Sequence, residues 1–334
     1  MRRRLSSSDF KVLLAIPNSQ KLVDVALKAG LSTSYINYKI KRLRRVLHIR
    51  YGIDYRAIGL SPMYIVASYS DEAYSRLMHG GVPFLRRVAV IWGWSGKYIL
   101  VEASPPLGWE RRYLFGLGLQ VRKVWVKEVS IKWSPRSPEI LVLKNGELRV
   151  QWNGLEEAVE GPALWRYDRR VEIDYIDLEV IGEKEEFAYA PISLVAKRLR
   201  ISQQRVSYHF RRHVKPLWMG NYLEWRTPMP GYVYVLYRIT SIDYPSSLKL
   251  ARLLSQIPWL IDGFIARNSE RNIIALLGIP YDELISFHKT LLKLGEASRL
   301  VPLAYLDPES LVHHRLSAEW IKGASERAAN GGKP

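Results

Sequence analysis

Cysteine is absent from this chain of 334 residues, which removes disulfides, thiolate metal centres and cysteine nucleophiles from consideration. A disulfide-free chain is compatible with a reducing compartment, and cytoplasm is the expected location. No apolar run approaches the roughly 20 residues that span a bilayer, so no membrane partner is expected. The opening MRRRLSSSDF lacks the apolar core that a signal peptide needs. Acidic residues are also scarce: 32 Asp and Glu face 50 Lys and Arg, a formal charge of +18. That excess favours a polyanionic partner, with nucleic acid the first choice. No G-x-x-x-x-G-K-S/T phosphate loop, glycine-rich dinucleotide fingerprint or H-E-x-x-H zinc motif occurs.

What is present is a pattern that occurs twice. Residues 25–42 read VALKAGLSTSYINYKIKR and residues 195–212 read VAKRLRISQQRVSYHFRR. An offset of 170 pairs Ser32 with Ser202, Tyr38 with Tyr208 and Arg42 with Arg212. Each copy predicts a short helix, a tight turn and a basic helix whose N-cap is serine, the signature of a helix-turn-helix head. Upstream, Leu5, Asp9, Phe10, Val12 and Leu13 match Ile173, Asp177, Leu178, Val180 and Ile181 at an offset of 168. Downstream of each head, strand and helix periodicities follow the order βαββαβ, which implies a ferredoxin-like sheet with both helices on one face. The predicted fold class is therefore α+β, with two winged-helix-like heads and two ferredoxin-like domains, internally duplicated.

The expected boundaries are a first head over 1–60, a first ferredoxin-like domain over 61–134, and a β-hairpin with connector over 135–170. A second head over 171–228, a second ferredoxin-like domain over 229–322 and a frayed tail over 323–334 complete the chain. The hairpin is expected around Asn145-Gly146, a dipeptide suited to a two-residue turn.

On the first basic helix, Ile36, Ile40, Leu43 and Leu47 form one buried stripe. The opposite face offers Thr33, Ser34, Tyr35, Asn37 and Tyr38 to base edges, with Lys39, Lys41, Arg42 and Arg45 for phosphates. On the second, Gln203, Gln204, Arg205, Ser207, Tyr208 and His209 are the reading candidates, and Arg211 and Arg212 the phosphate candidates. His213 stands where the first helix has the apolar Leu43, so Val214 is expected to take over burial, and Pro216 to end the helix early. The two reading faces differ, which predicts an asymmetric duplex target if both heads act together. His209 and His213 are also spaced one helical turn apart, as metal ligands would be, but they lie on the reading helix with no carboxylate partner expected. No metal, cofactor or catalytic residue is assigned.

Tyr232, Tyr234, Trp92 and Trp94 alternate on their strands and are expected to fill a sheet-to-sheet interface.

The succession of LxxxDFxVL, VALKAGLS, a basic helix and a βαββαβ domain resembles the Lrp/AsnC (feast/famine) transcription regulators of bacteria and archaea, twice over. Members of that family are usually single head-plus-sheet subunits that dimerise through their sheets. The resemblance implies a dimer fused into one polypeptide, its two sheets packed together and its heads at the outer ends, acting as a pseudo-dimeric monomer or a homo-oligomer. It implies a transcription regulator that reads double-stranded DNA, and a small-molecule effector held at the ferredoxin-like domains. At that place the chain departs from the family's glycine–aromatic–aspartate pattern: Ile99 follows Gly96-Lys97-Tyr98, and Glu270-Arg271-Asn272-Ile273 has no glycine. The alternatives are a low-specificity chromosome-organising protein and a tetrapyrrole-modifying enzyme, since some relatives of this architecture are haem-pathway decarboxylases that use His and Arg around a tetrapyrrole. The expectation from sequence is a regulator without enzymatic activity.

Overall fold

A computed structural model describes residues 4–79, 81–152, 170–226 and 228–315. The expected tail over 323–334 and most of the connector lie outside them. The first head holds helices α1 (Ser7–Ala15), α2 (Leu22–Ala29) and α3 (Thr33–Leu43) and runs into strand β1 (Leu47–Ile53). Then come β2 (Met63–Ser68), α4 (Asp71–Met78), β3 (Leu85–Gly93), β4 (Gly96–Ala103), α5 (Glu110–Gly116) and β5 (Val121–Ile131). The hairpin is β6 (Leu141–Lys144) and β7 (Glu147–Val150). The second head holds α6 (Tyr175–Glu186), α7 (Ser193–Leu199), α8 (Gln203–His209) and β8 (Trp218–Trp225). Last are β9 (Tyr232–Ser241), α9 (Tyr244–Gln256), β10 (Leu260–Ala266), β11 (Ser269–Pro280), α10 (Leu284–Lys293), β12 (Ala297–Leu306) and β13 (Val312–His313).

The same local chemistry starts both heads. Ser6 and Asp9 cap α1 reciprocally, and Asp174 and Asp177 do so for α6. Ser32 and Ser202 each accept a backbone N–H at the start of the basic helix. The hairpin turns on Asn145 and Gly146, both at positive φ (53° and 81°), as a type I′ turn requires.

Each ferredoxin-like half orders its strands fourth, first, third, second: β5-β2-β4-β3 and β12-β9-β11-β10. The halves do more than pack face to face. β5 pairs with β10, and β12 pairs with β3 through Ala304↔Gly93, Tyr305↔Trp92 and Leu306↔Ile91. Both junctions join a fourth strand to a second strand, so the ring closes with pseudo-two-fold symmetry and its long edges disappear. Inside the closed sheet sit Tyr64, Leu100, Tyr234, Leu236, Phe264 and Ile274. Tyr234 thus fills the expected interface, whereas Trp92 and Trp94 are exposed.

The heads are not at the outer ends. β1 and β8 pair antiparallel, from Leu47↔Trp225 to Ile53↔Trp218, and so zip one head to the other. The expected run of α3 to Leu47 stops at Leu43, and Leu47 is buried as the first residue of this ribbon instead. In the second head the helix continues as a single π turn, Phe210–Val214. That extra residue puts Val214, fully buried, in the role of Leu43.

Candidate functional site at the ribbon and barrel joint

The ribbon has two chemically different faces because its residues alternate. Leu47, Ile49, Tyr51 and Leu223 enter the core shared with the head helices. His48, Arg50, Tyr222 and Glu224 lie on the other face, with His48 opposite Glu224 and Arg50 opposite Tyr222. That polar face meets the edge of β3, where Arg86 and Arg87 stand side by side.

A continuous chain of charges results. Glu224 takes Arg50 Nε at 2.9 Å and Arg87 Nη2 at 3.1 Å. Arg86 Nη2 reaches Glu185 at 2.8 Å, and Arg50 donates to the Glu185 carbonyl at 3.2 Å. Inside the barrel, Arg87 lies 3.6 Å from Glu102, which shares Lys127 with Asp262 at 2.5 Å each. Tyr64 and Lys132 complete the shell of Asp262 at 2.6 Å each. Arg50, Arg86, Arg87, Lys127 and Lys132 bring five cationic groups against the four carboxyl groups of Glu102, Glu185, Glu224 and Asp262. His48 and His313 close the outer end with rings 6.2 Å apart, and His313 Nε2 is 3.5 Å from Glu224.

Burial sets the protonation states. It would raise Glu224, but Arg87 and Arg50 override it and hold the carboxyl far below the usual range. Asp262 is likewise buried and is held low by Lys127 and Lys132. Glu185 goes the other way: burial pushes it up to about 8 against the pull of Arg50 and Arg315. Burial lowers His48 to about 4 and His313 to about 3, keeping both imidazoles neutral near pH 7. Arg86 Nη1, Arg87 Nε and Nη1, and His314 Nε2 are buried yet make no hydrogen bond among the described residues. Buried donors are normally satisfied, so the free N–H groups of the adjacent Arg86 and Arg87 leave the joint able to take an anionic acceptor.

A cavity of about 270 Å³ opens at the end of the ribbon, walled by Trp225, Met229, Tyr232 and Trp259 with Arg45 and Arg226 beside them. Glu147 and Arg149 also line it, so it offers an apolar seat rimmed by charged side chains of both signs.

The sequence-based DNA candidates divide. Thr33, Ser34, Tyr35, Asn37, Tyr38, Lys41 and Arg45 are exposed on α3 and just beyond it, as are Gln203, Gln204, Arg205, Tyr208, Arg211 and Arg212 around α8, with Ser207 half-buried. Lys39 is buried against Asp9 at 3.1 Å, and Arg42 is bound to the same carboxylate at 2.8 Å. His209 is buried against Asp177 at 3.0 Å. These three side chains serve the interior of their own heads. The histidine pair was expected to have no carboxylate partner, and that is corrected: Asp177, brought by α6 from some thirty residues upstream, meets both His209 and His213.

Sequence reasoning missed His48, Arg50, Arg86, Arg87, Glu102 and Glu224. The signal was there in LHIRYGI, whose alternation marks a half-buried strand with charge on one face. What the sequence could not show is that β8 and β3 cover that face.

These features define a class: an α+β chain with two zipped helix-turn-helix heads above a closed barrel of two ferredoxin-like halves. That is the fold of the siroheme decarboxylase NirDL, with which the chain aligns at a TM-score of 0.51 and 12% identity over 97% of this chain and 99% of that one. NirDL in co-complex with an iron-uroporphyrin III analogue aligns over the same shares at 13% identity and a TM-score of 0.48. The leucine response regulatory protein LrpA of Mycobacterium tuberculosis aligns with 36% of this chain and 91% of its own, at 21% identity and a TM-score of 0.25. No protein-family model matches the chain, and no curated protein matches it. No helix among the described residues is long and apolar enough to cross a membrane.

The expectation of a chain without enzymatic activity is thereby corrected. It rested on reading twin helix-turn-helix heads as the mark of a regulator, and the end-to-end match with a decarboxylase removes that inference.

Proposed function

We propose that this chain is an enzyme that holds a tetrapyrrole bearing several carboxylates at the ribbon and barrel joint and removes carboxyl groups from it. The observation that carries the reading is the set of buried guanidinium N–H groups on Arg86 and Arg87 that find no hydrogen-bond partner among the described residues, at the joint that also holds His48 and His313. Decarboxylation turns a side-chain carboxylate and one proton into CO₂ and a C–H bond. The site must therefore fix carboxylates, exclude water and deliver a proton to carbon. Guanidinium groups fix carboxylates with paired N–H donors. Glu185, pushed up to about 8, still carries its proton at neutral pH and sits against Arg86. It is the proton donor in this scheme, since a general acid works best with a pKa near the operating pH. The neutral imidazoles of His48 and His313 suit contact with the macrocycle or with a metal it carries. The fold shared with NirDL supports the substrate class.

The test is anaerobic incubation with siroheme, read by absorbance for binding and by mass spectrometry for loss of CO₂. We expect saturable binding and CO₂ loss, with Arg86→Lys binding about tenfold more weakly because a forked donor pair is lost. Wild-type protein that neither binds nor decarboxylates the macrocycle overturns the proposal.

Duplex-DNA binding by the heads is the second reading, supported by the exposed Tyr35, Asn37, Lys41 and Arg45 on and just beyond α3. Selection from a random duplex pool separates its forms: an enriched motif means a sequence-specific regulator, and binding without enrichment means a chromosome-organising role.

A further inference from the structure

We propose that Asp177, His209 and His213 bind one divalent transition-metal ion of the Zn²⁺ class inside the second head. His209 ends α8 and His213 lies in the π turn that follows, so both project toward the first turn of α6, which carries Asp177. His209 Nδ1 is 3.0 Å from one Asp177 oxygen, and His213 Nδ1 is 2.9 Å from the other. The three ligand atoms all lie within 4.8 Å of one another. The two imidazole rings are perpendicular, with centroids 5.4 Å apart. Donors about 2.0–2.2 Å from a four-coordinate zinc stand about 3.3–3.6 Å from each other, so the two histidine-to-carboxylate separations need open by only a few tenths of an ångström, with the third pair within 4.8 Å. The ion would take the place of the protons that the imidazoles now share with the carboxylate.

The surroundings favour an ion over a plain hydrogen-bonded trio. Asp177 is fully buried and pinned by the backbone N–H of Asp174, which fixes its orientation. The side chain of His213 is 32% exposed, which leaves an approach and room for a water ligand. The Asp174 carboxylate, 3.5 Å from His209 Nδ1 and half-exposed, supplies a second negative charge next to the cation. Two imidazoles and a carboxylate select Zn²⁺ and its first-row neighbours over Mg²⁺ or Ca²⁺, which prefer oxygen donors throughout. The first head shows that the fold does not need histidine here, because Lys39 and Arg42 neutralise Asp9 at the matching place. The second head carries metal-ligating side chains in their stead, and its π turn buries Val214 while leaving His213 on Asp177.

The experiment is titration of chelator-treated full-length protein with Co²⁺ and then Zn²⁺, following ligand-field absorbance, metal content and melting temperature. We expect one equivalent of Co²⁺ with visible bands that Zn²⁺ displaces, and a rise in melting temperature on Zn²⁺ addition. The double variant His209→Lys/His213→Arg copies the residues that meet Asp9 in the first head, keeps Asp177 ion-paired and should lose the bands and the Zn²⁺ response. His213→Gln, at the half-exposed position, should fold normally and weaken Zn²⁺ at least about tenfold. No stoichiometric uptake by the wild type overturns the proposal, and so does unchanged uptake in either variant.

Discussion

The two heads place a buried aspartate at the same point of the same fold and neutralise it in different ways. Asp9 is fully buried and meets Lys39 at 3.1 Å and Arg42 at 2.8 Å. Asp177 is fully buried and meets His209 and His213 at 3.0 and 2.9 Å. Lys39 and Arg42 meet Asp9 as ion pairs and offer donors only, so the first head carries an ion cluster. Imidazole has no obligatory charge and can ligate a metal, so the second head carries a chemically adjustable one. The lesson is that an internal repeat conserves the demand of the fold, here a counter-group for a capping carboxylate, without conserving how that demand is met.

The largest effect should come from removing the acid on the side with fixed charges. Asp9→Ala leaves Lys39, only 3% exposed, without its carboxylate. An uncompensated buried charge of this kind costs about 3–5 kcal/mol. Asp177→Ala in metal-free protein leaves imidazoles that need not be charged, at a cost of about 1–3 kcal/mol for lost hydrogen bonds. Hydrogen exchange resolves the heads separately, and the expected result is loss of protection across α1 to α3 in the first variant that exceeds the loss across α6 to α8 in the second. Equal losses would mean that the two counter-groups are energetically equivalent.

How much of this was legible beforehand follows from the range of the interactions. Head helices, caps, the Asn145-Gly146 hairpin and both βαββαβ orders are written in local periodicity, and the structure has all of them. The Val214 substitution for Leu43 was also readable, because His213 breaks an apolar stripe at one position. The candidate site was not legible. Its members come from β1, β2, β3, β4, β5, α6, β8, β10 and β13, and each looks alone like an ordinary polar residue on a strand or helix. Only the pairing of β1 with β8 and the closure of the barrel turn Arg87, His48 and Glu224 into neighbours. The carboxylate of the histidine pair was hidden for the same reason, although Asp177 had already been matched to Asp9 by the repeat.

The same contrast of heads continues along the ribbon, where β1 gives His48 and Arg50 and β8 gives Glu224. Burial holds His48 down to about 4 and His313 down to about 3, below the ordinary value of about 6.5. The folded state therefore keeps both neutral, and the unfolded chain binds more protons below about pH 6.5. Their contribution is complete above that pH and is lost as pH falls toward 4. Melting temperature should drop between pH 7 and 4.5, and His48→Gln should make that drop smaller by several degrees. An unchanged pH dependence in His48→Gln would show that His48 is not held neutral at the joint.

The smallest expected effect sharpens the comparison at the turn before each basic helix. Gly30 ends α2 in the left-handed region at φ 65° and ψ 38°, and Arg200 ends α7 at φ 54° and ψ 40°. Each donates its backbone N–H to the carbonyls three and four residues before it, so the turns are the same and only the side chain differs. A side chain in this region costs about 1–2 kcal/mol, whereas glycine costs about 0.5–1 kcal/mol of extra chain entropy on folding. Backbone strain therefore outweighs chain entropy. Arg200→Gly should thus stabilise the second head by about 0.5–1 kcal/mol, and Gly30→Arg should destabilise the first by a similar amount. Arg200 is exposed, so lost packing should not mask the gain. If instead Arg200→Gly lowers the melting temperature, the arginine side chain stabilises the head through contacts worth more than its strain, and the second head has adapted its turn as it adapted its buried aspartate.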